Sequence, residues 1–177
     1  MKLRNLLLIS LFFLTTFGAW AQLQVTSLTI DGRPSPTGID NPQPRLSWII
    51  QSDQANTTQQ SYELRAALTD ADVRRGRKLV WNTGRVSSSQ SVHIPYQGEP
   101  LESHQRIYWQ VRVTDNHGEK SKWSETAYFE MGKLNSNDWK ADWITPTWEE
   151  DPKKSEPSPY LRKEFSLEKT IKQARLY

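Results

Sequence analysis

Gly38-Ile39-Asp40-Asn41-Pro42-Gln43-Pro44-Arg45-Leu46-Ser47-Trp48 decides the fold class of this chain. Pro42 and Pro44 fix their own φ and bias the residue before each toward extended backbone, so the run is a straightened lead-in rather than a helix. It opens into Leu46, Trp48 and Ile50, spaced by two, which is the period of a strand with one buried face. A proline-led strand carrying an inward tryptophan is β-sandwich framework. No catalytic motif of comparable definition occurs in the 177 residues.

Working outward, the same grammar recurs from Leu23 to Met131 with no convincing helical period. Val25–Ile30 is a first strand, ended by Asp31-Gly32, and Arg45–Gln51 is the second. Tyr62, Leu64, Ala66 and Leu68 supply inward positions of a third, with Glu63 and Arg65 facing out. Val80-Trp81 precedes an expected turn at Asn82-Thr83-Gly84, and Ser91–Tyr96 is a short strand. Ile107–Asp115 is the best defined: Ile107, Trp109, Val111 and Val113 share one face, Gln110, Arg112 and Thr114 the other. Asp115-Asn116-His117-Gly118 provides a hairpin turn into a return strand, Trp123–Met131. Strands every ten residues or so, with no helix between, predict an all-β, seven-strand antiparallel sandwich over 22–132.

The first 21 residues carry export chemistry. Lys2 and Arg4 precede an apolar run, Leu6–Phe17, too short to span a bilayer comfortably, and Ala19-Trp20-Ala21 offers a small-x-small cleavage pattern. Without this leader the charge is 21 − 20 = +1, because two of the 23 basic residues and none of the 20 acidic ones lie in it. That balance removes the electrostatic case for nucleic acid. The cluster Arg74-Arg75-Gly76-Arg77-Lys78 has no interleaved aromatics and is expected as a solvated loop. No cysteine is present, so disulfides, C-x-x-C sites and a lipidated cysteine are all excluded.

Eight tryptophans invite a sugar-binding reading. Trp48 and Trp109 stand in phase with aliphatic residues, so both are assigned to the core, where each aromatic removes ~150–250 Å² from water. Trp81, Trp123 and Trp148 remain candidates for ligand stacking. After Gly132 the composition turns to Pro, Asp, Lys and Ser, and Trp139, Trp143 and Ile144 predict a linker over 133–159 that makes definite contacts. Leu161, Lys163, Phe165 and Leu167 alternate as a further strand and Ala174–Tyr177 begins another. Residues 160–177 thus look like the start of a second β-domain. On this basis 22–132 is expected to fold alone.

Familiar chemistries find no support. Glycoside hydrolysis needs two carboxylates at a fixed separation of ~5–10 Å, and Glu149-Glu150-Asp151 lies on a proline-flanked loop that cannot hold one. His93, His104 and His117 fall in a strand, a loop and a turn without metal-ligand spacing. Ser87-Ser88-Ser89 lacks nucleophile-elbow glycines. Asn56-Thr57-Thr58 is a formal glycosylation sequon. Accordingly no catalytic, cofactor-binding or metal residue, and no cofactor, is assigned.

Leu46-Ser47-Trp48, Tyr62-Glu63-Leu64 and Trp109-Gln110-Val111-Arg112-Val113 resemble the framework of a fibronectin type III or immunoglobulin-like domain. More specifically, the Gly38–Trp48 run, Trp81–Val86, Tyr108–Val111, Ser121-Lys122-Trp123-Ser124, Phe129–Gly132, Asp138–Ile144 and Arg162–Phe165 are similar, in order, to the start of bacterial α-L-rhamnosidases of glycoside hydrolase family 78. Ile107 departs from that pattern, standing where members often carry a second aromatic. The resemblance implies the N-terminal, non-catalytic module of a longer exported enzyme that removes terminal α-L-rhamnose with inversion. Its catalytic acid and base would lie downstream. The implied partners are the downstream domains of the same polypeptide and, through the parent enzyme, a rhamnose-containing glycan, with no nucleic acid and no membrane after leader cleavage. The alternative is a stand-alone exported module that binds carbohydrate or protein.

Overall fold

The computed structural model describes residues 22–147, 151, 153–155, 157–171 and 174. One compact unit ends at Trp139 and a second begins at Lys140. In the first, seven strands form two antiparallel sheets. They are β1 (Gln24–Ile30), β2 (Arg45–Gln51), β3 (Gln59–Ala67), β4 (Leu79–Ser87), β5 (Ile94–Pro95), β6 (Arg106–Asp115) and β7 (Ala127–Glu130). The sheet orders are β1-β2-β5 and β4-β3-β6-β7, the architecture expected of an immunoglobulin-like sandwich.

The opening run does what its prolines and period predict. Pro44, Leu46 and Trp48 are fully buried, while Ile49 on the opposite phase is exposed. Gly38, at φ +74°, lets the lead-in cross to the other sheet. There the Ile39 N–H donates to the Glu130 carbonyl at 3.1 Å, and the Gly132 N–H donates to the Ile39 carbonyl at 2.7 Å. Both sheets are therefore tied by one short segment.

Inward residues of both sheets fill the core: Leu46 and Trp48 from β2, Leu64 and Ala66 from β3, and Ile107, Trp109, Val111 and Val113 from β6. Aromatic rings meet edge-on, Trp48 with Tyr62 at 5.2 Å, Trp81 with Tyr96 at 5.0 Å and Tyr96 with Phe129 at 6.1 Å. Such contacts add to the area each ring removes from water. Without disulfides, this packing holds the domain.

Several local expectations need correction. Asp70–Arg75 is a helix, α1, where only a loop between strands was expected. Thr69 caps it by accepting from the Asp72 N–H, and Gly76 ends it at φ +63°. Six residues are too few to show a 3.6-residue period. Leu68, expected to face in, lies past the end of β3 and is exposed. Asn82-Thr83-Gly84 is no turn: β4 runs through it with a bulge, Gly84 at φ +59°, between the Glu63–Arg85 and Arg65–Asn82 pairs. Thr83 Oγ1 satisfies the Leu64 N–H that the bulge would leave unpaired, at 2.9 Å.

The return from β6 forms a strand only at Ala127–Glu130. Before it, Ser121 and Ser124 substitute for ladder residues. Their N–H groups donate to the Val113 and Val111 carbonyls, both at 2.9 Å, and their hydroxyls accept from the Val113 and Val111 N–H groups at 3.0 and 3.1 Å.

The sandwich continues past Gly132. Ser103 Oγ accepts from the Leu134 N–H at 2.9 Å and donates to the Asp138 carboxylate, and Lys133 Nζ lies 4.4 Å from the Trp139 ring centre. In the second unit, no strand or helix forms among the described residues. Trp143 and Ile144, expected to make contacts, are exposed, as are Leu161, Phe165 and Leu167 of the expected strand. A lone extended segment has no ladder partner for its backbone groups.

Candidate functional site

The outer face of the four-stranded sheet collects the polar chemistry of the domain. Because side chains alternate, the phase that buries Leu64 and Val111 turns Glu63, Arg65, Gln110 and Arg112 outward. Register then sets the rows. Arg85, Glu63 and Arg112 stand side by side across β4, β3 and β6; Arg65 pairs with Gln110; Tyr108 pairs with Tyr128; Arg106 pairs with Glu130.

Glu63 is shared. It accepts from Arg112 Nη2 at 2.6 Å and from Lys120 Nζ at 2.5 Å. The Arg112 hydrogen bond, with Lys120 beside it, holds the Glu63 carboxyl below the usual carboxylate range. Arg65 is held by neutral oxygens among the described residues: its Nε and Nη2 donate to Gln110 Oε1 at 3.1 and 2.7 Å, and Nη2 also reaches the Arg74 carbonyl at the end of α1. Burial and the neighbouring Arg112 charge lower its pKa. Gln110 completes the network by donating to the Ser124 carbonyl at 2.8 Å.

Trp123 lies over this row. The guanidinium carbons of Arg65 and Arg112 sit 3.9 and 4.5 Å from its ring centre. Arg106 stacks on Tyr128 in the same way, at 4.7 Å, while its Nη2 pairs with the buried Glu130 at 2.8 Å. The Trp123 and Tyr128 rings are thus stacked with the chain's own guanidinium groups rather than left as bare platforms for a sugar ring. The depression beside Trp123, about 240 Å³ and lined by Gln22–Val25 and Lys122–Glu125, is smaller than the ~300 Å³ at which ligand clefts usually begin.

The other stacking candidates fall elsewhere. Trp81 is 8% exposed and packs on Tyr96, so it is a core residue. Trp148 lies outside the described residues, as do Glu149 and Glu150. His93, His104 and His117 are exposed on separate loops, and no cluster with metal-holding geometry occurs among the described residues. The Arg74–Lys78 run forms the last turn and cap of α1, with Arg74 paired to Asp70 at 2.8 Å and Arg77 to Asp72 at 2.9 Å. Asn56 of the sequon is exposed in the loop between β2 and β3. The site residues that sequence reasoning missed, Glu63, Arg65, Gln110 and Arg112, appeared there only as outward positions. Their one signal is that two adjacent central strands place charge on the same phase.

Residues 25–135 match the family model of the Rha78A-like, N-terminal immunoglobulin domain. An α-L-rhamnosidase of Formosa agariphila is 38% identical over 157 residues, covering 85% of this chain and 17% of that protein. One of Streptomyces avermitilis is 37% identical over 123 residues, covering 70% and 12%. The crystal structure of the Streptomyces avermitilis α-L-rhamnosidase complexed with L-rhamnose superposes with a TM-score of 0.66 at 37% identity, over 70% of this chain and 12% of that one. That of the α-L-rhamnosidase from Dictyoglumus thermophilum gives 0.66 at 32% identity, over 69% and 14%. The chain spans between about an eighth and a sixth of the length of the curated relatives it matches.

Proposed function

The chain belongs to the family of Rha78A-like N-terminal immunoglobulin domains, and from that premise we propose that it is the leading, non-catalytic module of an exported α-L-rhamnosidase. The observation that carries this reading is coverage: similarity runs over 85% of this chain but only 17% of the relative, so the shared part is a fraction of a longer enzyme, and the matching family model is an N-terminal domain. The site agrees with a structural role. Glu63 is engaged by Arg112 and Lys120, and the Trp123 ring carries the guanidinium groups of Arg65 and Arg112 rather than an open face. A hydrolase would need a free acid and a free base facing across a cleft.

In this account residues 22–139 form a self-sufficient sandwich, and the stretch from Lys140 onward belongs to the connection and the next domain. The parent enzyme removes terminal α-L-rhamnose with inversion, using groups downstream of this chain. Its partners are those downstream domains and a rhamnose-bearing glycan. The leader reading of residues 1–21 places it outside the cytoplasm; among the described residues no helix is long and apolar enough to cross a membrane.

Assay of an aryl α-L-rhamnoside with this chain and with the full natural polypeptide tests the proposal. Hydrolysis by the long protein only, with β-L-rhamnose as the first anomer by proton NMR, is the expected result. Turnover by this chain alone, or a long protein inert toward rhamnosides, overturns it.

A further inference from the structure

We propose that the outer face of the four-stranded sheet is a docking surface for a carboxylated polysaccharide, a polymer bearing uronate groups. The argument is charge complementarity and does not depend on the rhamnosidase reading. Arg65, Arg85, Arg112 and Lys120 surround a single carboxylate, Glu63, for a local balance of 4 − 1 = +3. The chain from residue 22 onward carries only +1 in total, so the excess is concentrated on one face. Both Glu63 oxygens are already engaged, by Arg112 and Lys120. Among the described residues, Arg85 is exposed and donates through Nε to the Ser61 hydroxyl, at 3.1 Å, and Arg65 meets the neutral oxygens of Gln110 and Arg74.

Geometry favours carboxylates. Arg65 and Arg112 spend N–H groups on Gln110 and Glu63, whereas the exposed Arg85 contacts Ser61 through Nε, and its planar guanidinium fork matches the planar carboxylate. The stacked arginines are held in place by Trp123, so little side-chain freedom is lost on binding. A folded protein partner would need an apolar centre to its interface. On this face the Trp123 ring is covered by Arg65 and Arg112 and the Tyr128 ring by Arg106, and the exposed large apolar residues of the sandwich, Ile49, Leu68, Val92 and Trp139, lie outside these rows.

The test is affinity electrophoresis of the purified chain through gels holding polygalacturonate, with neutral dextran as the blank. Retardation by polygalacturonate alone is expected, with Arg85→Gln/Lys120→Gln binding roughly fivefold more weakly, the worth of two exposed charges. Arg33→Gln/Arg45→Gln removes the same charge from the other sheet and should leave retardation unchanged; thermal unfolding confirms that both variants fold. Equal loss in the two double variants would show mere net-charge attraction and overturn the proposal. So would absence of retardation, or competition by polyglutamate as effective as polygalacturonate at equal carboxylate concentration, which would point to an acidic protein instead.

Discussion

The Trp48 indole N–H donates to Gln59 Oε1 at 2.9 Å, joining β2 of one sheet to β3 of the other through the closed interior. Gln59 in turn donates its amide to the Ser88 and Gln90 carbonyls at 3.0 and 2.8 Å. One buried glutamine therefore ties together both sheets and the segment that follows β4. Trp109, equally buried, has no acceptor for its indole N–H among the described residues.

This contrast separates two tryptophans that look alike by burial. Trp48→Ala and Trp109→Ala should each cost ~3–5 kcal/mol. Trp48→Phe, which also strands the Gln59 oxygen, should cost about 1–2 kcal/mol more than Trp109→Phe. Urea unfolding measures both; a Trp109→Phe loss equal to or greater than that of Trp48→Phe contradicts the account.

Tyr96 makes a second, pH-dependent prediction. Its hydroxyl is buried without a partner among the described residues, and burial, aided by the Glu99 charge, pushes its pKa up to about 12 from 10. The folded state therefore holds this proton more tightly than the unfolded chain does. The stabilisation is complete below pH 10 and is lost between pH 10 and about 12. Tyr96→Phe should match or exceed wild-type stability at pH 7, because it removes an unsatisfied group, and should fall less steeply above pH 10. Parallel slopes for the two proteins would count against the buried-hydroxyl assignment.

Glu63 titrates with the opposite sign. Arg112 and Lys120 lower its folded pKa from 4.5, so its contribution is present above that value and lost as pH falls through the folded one. Glu63→Gln should reduce stability at pH 7, with the difference from wild type shrinking below pH 4.5. A gap that stays constant down to acid unfolding would refute the shared-carboxylate role.

Limited proteolysis addresses where the sandwich ends. Cuts are expected in the exposed stretch after Trp139 before any appear within 22–139. Ser103→Ala removes the hydroxyl that both Leu134 and Asp138 use, so early cuts should then reach 133–139. Unchanged cleavage in that variant would show that Ser103 is not what fastens the segment.

What the sequence disclosed follows from how local each signal is. Arg45–Gln51 and Ile107–Asp115 were legible because burial on one face writes itself into every second residue. The helix α1 was not, although Thr69, Asp72 and Gly76 spelled its caps, because a single turn and a half buries only Val73. Trp81 escaped assignment because its strand was broken at Asn82–Gly84, where the chain bulges and continues. In the return strand, Ser121 and Ser124 bond the ladder with side chains, which hydrophobic period cannot register. The candidate face was the least legible part. Glu63 meets Arg112 across 49 residues of sequence, and only the β3–β6 register brings them together.

The central claim is that this chain is the leading module of a much longer rhamnosidase, and the reading frame beyond codon 177 tests it most directly. The account predicts several hundred further codons, beginning with the strands of another β-sandwich, by analogy with the Formosa agariphila relative, of which this chain covers 17%. A stop codon directly after Tyr177 in the natural gene would contradict it.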